Sequence, residues 1–136
     1  MTSTQNQAAP TIQYSPRTVE RAKRAMRCSP FQLSLFVAMG SQSVPLSAIA
    51  GDNGIQHQYT RHSVSELAAE NTLLWLIQVG LLRREVDGQG ITDSFRLTPL
   101  GRQLVSNWEQ RGELWSDPTW QERLYNALNR WLRLPI

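Results

Sequence analysis

Leu73-Leu74-Trp75-Leu76-Ile77-Gln78-Val79-Gly80-Leu81-Leu82-Arg83-Arg84, taken with Phe95-Arg96-Leu97-Thr98-Pro99-Leu100-Gly101-Arg102, decides the fold. The first stretch is an apolar helical pattern that breaks at Gly80, a residue suited to the left-handed position that closes a helix. Beyond it the period changes to alternation, with Leu82, Arg84 and Val86 on one strand and Ile91, Asp93, Phe95 and Leu97 on another. Asp87-Gly88-Gln89-Gly90 between them is turn chemistry, so the two strands form a β-hairpin. Thr98-Pro99 then restarts a helix, because a hydroxyl acceptor followed by proline supplies a cap and a pre-set φ.

Working outward, the same signal recurs at Ser15-Pro16, Ser29-Pro30 and Asp117-Pro118, and Ser29 with Gln32 and Ser63 with Glu66 read as capping boxes. These marks predict a basic helix from Pro16 to about Cys28 and an apolar helix from Pro30 to about Met39, closed by Gly40. A short helix over Pro45–Ala50 and a loop over Gly51–Arg61 follow. The next helix starts after Ser63 and runs to Val79. After the hairpin come helices over Pro99–Arg111 and from Pro118 to about Arg133. The expected organisation is a disordered arm over residues 1–15, a basic helix over 16–29, a central domain over 30–101 and Trp-rich C-terminal helices over 99–136. No internal repeat is visible.

Helix, short helix, helix, hairpin, helix is the order of a winged helix-turn-helix, so the expected class is mainly α with a small β-hairpin (α+β), with a basic helix before it and a helical extension after it. The step Gly80-Leu81-Leu82-Arg83-Arg84 and the helix start Leu97-Thr98-Pro99-Leu100-Gly101 resemble the second half of MarR-like and PadR-like bacterial transcriptional regulators. Pro45–Ala50 looks like their second helix, and the resemblance spans about Pro30 to Val105. It implies a third helix that enters the DNA major groove. The positions that carry the resemblance are fold requirements, so function rests on the exposed side chains.

Those side chains are unevenly charged. Residues 1–30 hold five cations, Arg17, Arg21, Lys23, Arg24 and Arg27, against Glu20 alone. Residues 63–101 hold Arg83, Arg84 and Arg96 against Glu66, Glu70, Glu85, Asp87 and Asp93. A double-stranded DNA partner would therefore be held through phosphates, by the N-terminal helix (Arg17, Arg21, Lys23, Arg24, Arg27), by Arg61, His62, Ser63 and Ser65 ahead of the third helix, and by Arg83, Arg84 and Arg96 beside the wing. The N-terminal cations equally fit a solvated helix face. Helical phase carried on from Val64 turns Leu67, Ala68, Asn71, Leu74, Trp75 and Gln78 inward. Glu66, Glu70, Leu73 and Leu76 are then left outside, an acidic and apolar face that suits a protein partner better than DNA. The leading expectation is a DNA-binding regulator; the alternative is a winged-helix adaptor that docks on protein.

The tail holds four of the five tryptophans. Trp120, Leu124, Leu128 and Trp131 form one stripe on the last helix, with Gln121, Glu122, Asn126, Asn129 and Arg130 facing away. Such a stripe packs back on its own domain, pairs with a second subunit, or lies in a membrane surface. Trp108, Trp115, Trp120, Leu124, Leu128 and Trp131 are the dimerisation candidates, and a homodimer is the expected assembly.

Other chemistry has no visible carrier. No apolar run approaches a membrane span, and residues 1–16 lack the apolar region of a secretory signal, although acid-poor sequence running into arginines also fits an organelle transit peptide. Cys28 is the lone cysteine, which fits a reducing, cytoplasmic setting. Beside Arg24 and Arg27 it reads either as a space-filling residue or as a thiol of lowered pKa. His57, His62 and Asp52 make no convincing metal set, and phosphate loops and nucleophile motifs are missing, so neither cofactor nor enzymatic activity is expected.

Overall fold

The computed structural model describes residues 13–111 and 120–132. These form seven helices and a three-stranded antiparallel sheet, a mainly helical α+β arrangement. In chain order they are α1 (Pro16–Cys28), α2 (Leu33–Ser41), β1 (Val44–Pro45), α3 (Leu46–Ile49), α4 (Gly51–Gln56), α5 (Glu66–Gln78), β2 (Leu82–Asp87), β3 (Gly90–Leu97), α6 (Pro99–Arg111) and α7 (Trp120–Leu132). The sheet order β1-β3-β2 sets Val44 opposite Phe95 and Leu82 opposite Leu97. Alternation on β3 sends Phe95 and Leu97 into the core, where they meet Phe36, Met39, Leu73 and Leu76, all essentially fully buried.

The decisive stretch folds as read. Gly80 takes φ +90°, and the Leu81 N–H reaches back to the Leu76 carbonyl at 2.9 Å, which closes α5 with a left-handed glycine. Thr98 then joins the hairpin's end to that closure. Its N–H and its hydroxyl both donate to the Leu81 carbonyl, at 2.9 and 3.0 Å, and its Oγ1 accepts the Gly101 N–H at 3.2 Å. Gly101 follows from this close approach, because a Cβ there would stand 2.5 Å from the Leu81 oxygen and 2.9 Å from Leu97 Cδ2.

Four local expectations are corrected. Ser29 does not open α2; its hydroxyl donates to the Met26 carbonyl and accepts the Phe31 N–H, so it ends α1, and α2 begins only at Leu33. Gly40 lies inside α2 and packs on Leu97 rather than closing the helix. Val44 and Pro45 form a third strand on β3, beyond the hairpin that alternation alone announces. The stretch expected to be a loop from Gly51 contains α4, docked by a Gly51 N–H bond to the Val64 carbonyl at 2.7 Å. The N-terminal arm lies outside the described residues as far as residue 12, as do the Gly112 stop and the Asp117-Pro118 start.

The junction yields a stability prediction. Gly101→Ala should destabilise the protein by about 1–3 kcal/mol through overpacking, whereas Gly88→Ala, where a Cβ meets nothing within 4 Å, should change little. Urea unfolding of both variants checks this, with the midpoint falling for Gly101→Ala alone.

Candidate interaction surface on α5 and α7

The rotation of α5 decides which residues it can offer. Ser65, not Ser63, is the cap; its Oγ accepts the Ala68 N–H at 3.1 Å. Val64 is buried but precedes the helix and its extended N-cap Ser65, so it does not share the helical phase of Glu66–Gln78. Carrying the period on from Val64 therefore turns α5 the wrong way round. Leu73 and Leu76, expected outside, are fully buried with Ala69, while Leu67 and Leu74, expected inside, are 68% and 42% exposed. The outward line is Leu67, Asn71, Leu74 and Gln78, with exposed Glu66 at its start. Glu70 is half-buried, 3.8 Å from Arg84.

The far end of this line meets α7. Asn71, Leu74, Trp75, Gln78, Arg130 and Trp131 enclose a groove of about 320 Å³. The Trp75 indole N–H donates to Asn126 Oδ1 at 3.0 Å, which ties α7 to α5, while the body of α7 packs on α1. The Arg130 guanidinium lies 5.7 Å from the Trp131 ring centre, and its burial lowers its pKa from the usual arginine value.

The DNA-contact candidates sit mostly in local pairs. Arg83 and Arg96 lie 3.4 and 3.3 Å from the Glu85 carboxylate. Arg84 pairs with Asp93 at 2.9 Å and spreads over the Phe95 ring. On α1, Lys23 is 3.8 Å from Glu20, Arg27 pairs with Glu122 of α7, and Arg24 covers the Tyr125 ring at 5.2 Å. Arg21 is half-buried. Exposed Arg17 lies at the start of α1, and exposed Arg61, His62, Ser63 and Ser65 lie ahead of α5. Exposed pairs stabilise little, but a phosphate drawn to these arginines would have to displace a carboxylate or ring already in place. Exposed Arg102, one turn into α6, is a cation that sequence reasoning did not single out, although it directly follows Gly101.

The C-terminal helix turns its polar side, not its apolar stripe, towards the domain. Asn129 is 1% exposed and Glu122 and Asn126 are half-buried against α1 and α5, whereas Trp120, Leu124, Tyr125 and Trp131 are exposed. Glu122 and Asn126 find partners on the domain, which turns this face inward and leaves most of the apolar stripe to solvent, with Leu128 half-buried. Trp108, a dimerisation candidate in the sequence, is instead a core residue of α6. Trp115 lies outside the described residues.

The remaining titratable candidates are separate from this surface. His57 stacks on Tyr59, with its Nδ1 2.7 Å from the Asn53 carbonyl, and among the described residues no three His, Cys, Asp or Glu side chains converge. Burial raises the Cys28 pKa, outweighing the opposing effects of Arg123, Arg27 and Arg24. The activated-thiol reading is thereby corrected. Because the folded thiol keeps its proton where the unfolded one has lost it, its contribution to stability is complete below the unfolded pKa. It disappears as pH rises through the folded value. Cys28→Ser should therefore flatten the loss of stability at alkaline pH, as read by urea unfolding across that range, and native Cys28 should react slowly with a disulfide reagent at neutral pH.

A family model described as Npun_F0494-like matches residues 12–130. Neither a curated protein nor a solved structure matches the chain.

Proposed function

We propose that this chain, which belongs to the Npun_F0494-like family, is a cytoplasmic, non-catalytic winged-helix module that docks an amphipathic helix of another protein along α5. The winged-helix reading is supported by the order α2, β1, α3–α4, α5, β2, β3 and by the β1-β3-β2 sheet. The observation that carries the function is the outward line of α5. It presents Leu67 and Leu74 as anchors seven residues apart, the amides of Asn71 and Gln78 between and beyond them, and no cation.

A helix in major-groove contact needs cations on or beside that line to offset phosphate repulsion. Here Glu66 stands at one end, and the wing arginines are held by Glu70, Glu85 and Asp93. A helical ligand with two apolar anchors fits the groove by the usual spacing of such contacts. Glu66 selects a basic residue at one end of the ligand and Arg130 an acidic one at the other. Arg61, His62, Ser63 and Ser65 still favour DNA as the second reading, because they lie exposed at the start of α5.

Two measurements on the full chain separate these readings. Anisotropy of a labelled generic duplex should show no affinity at low salt, whereas a phosphate-led binder using four or five cations gives a log–log salt slope of about −4. Capture from cells that make the protein should retain one partner after nuclease treatment, and Leu74→Asp, with unchanged circular dichroism, should weaken its binding by at least about tenfold. Duplex binding of that slope, persisting in Leu74→Asp, would overturn the proposal in favour of DNA.

A further inference from the structure

The outward stripe of α7 is independent of the α5 groove except at Trp131, and its character is unusual for a helix docked on its own domain. Three polar contacts set its rotation: the Trp75 indole to Asn126, Arg27 to Glu122, and Arg24 over Tyr125. With the helix held this way, Trp120 is 71% exposed, Trp131 76%, and Leu124 and Tyr125 51% each. Rolling the helix to bury them would break all three contacts, so among the described residues the apolar face is not covered without losing them.

We propose that a second copy of this chain covers this face, α7 against α7, antiparallel about a twofold axis. Self-complementarity is the condition a twofold interface imposes, and the stripe meets it. Trp120, Leu124, Leu128 and Trp131 are spaced by four, four and three residues, so the order large, small, small, large reads alike from either end. Antiparallel pairing sets Trp120 against Trp131 of the second copy and Leu124 against its Leu128. Between Trp120, Gln121, Leu124, Tyr125 and Leu128 lies a hollow of about 410 Å³, room for an apolar side chain from the facing helix.

The area is adequate for a specific but modest contact. Aromatic side chains of this size contribute 150–250 Å² each when covered, so at the exposures given the stripe offers roughly 500 Å² per copy. The total of about 1,000 Å² is near the lower bound for a stable interface. The pair should therefore form reversibly, with a measurable monomer population on dilution.

Sedimentation velocity of the purified full chain tests this. The expected result is a mass that rises with concentration from the 15.5 kDa of one chain towards twice that value, and a Trp120→Ser/Leu124→Asp variant that stays monomeric with unchanged circular dichroism. Neither residue lines the α5 groove, so failure here is distinguishable from failure of partner docking. The antiparallel register is read separately in a Cys28→Ser background. An equimolar mixture of Leu124→Cys and Leu128→Cys chains should oxidise to the mixed disulfide faster than either chain pairs with itself. A chain that remains monomeric at every concentration, or a dimer indifferent to Trp120 and Leu124, would overturn the proposal; preferential self-pairing of Leu124→Cys would overturn the antiparallel arrangement.

Discussion

The meeting of two backbone turns, Gly80-Leu81 and Thr98-Gly101, is the constraint on which the rest depends. One carbonyl, that of Leu81, accepts both the Thr98 N–H and the Thr98 hydroxyl, while Gly101 lets the first turn of α6 come against the same oxygen. This junction closes the β2–β3 hairpin over the core and fixes where α5 ends. With the Ser65 cap at its other end, α5 is held at both termini, and little freedom remains in its rotation. Leu73 and Leu76 then fill the interior beside Phe95 and Leu97, which leaves Leu67 and Leu74 outside.

That rotation has electrostatic consequences as well. It brings Glu70 towards Arg84, which also reaches Asp93, while Glu85 lies between Arg83 and Arg96. The hairpin arginines are thus balanced by nearby carboxylates, and the exposed line of α5 carries no cation to compensate for Glu66. It also points the Trp75 indole at Asn126, so that α7, which packs mainly on α1, is tied to α5 through a polar contact. An apolar stripe facing away from the domain follows from that seating. The two outward surfaces, α5 and α7, are therefore products of one packing decision made in the core.

Much of the fold was legible because it is written in backbone chemistry. Gly80, Thr98-Pro99 and Asp87-Gly88-Gln89-Gly90 each demand a particular local conformation whatever surrounds them, and each adopts it. The helix faces were less legible, since a 3.6-residue period gives the stripe but not its origin. Val64 is apolar and buried yet lies ahead of the helix, before its extended N-cap Ser65, and a phase counted from it misplaces Leu67, Leu73, Leu74 and Leu76 together. Two serines two residues apart, Ser63 and Ser65, offered the same acceptor chemistry, and only tertiary packing selects between them. β1 was hidden for a related reason, because Val44-Pro45 is too short to alternate and is defined by its partner on β3. On α7 the apolar stripe was correctly delineated, but which side faces the domain depends on Arg24, Arg27 and Trp75, groups far away in the chain.

The orientation of α5 is the claim that most needs a direct test, and cysteine accessibility along the helix reads it. In a Cys28→Ser background, single cysteines at positions 67, 71 and 74 should be alkylated at near the rate of a free thiol in the native protein. Cysteines at 69, 73 and 76 should be protected until the chain unfolds. The reverse pattern, with 73 and 76 reactive and 67 and 74 protected, would contradict the account at its root, because the surface from which the function is argued would then be the core.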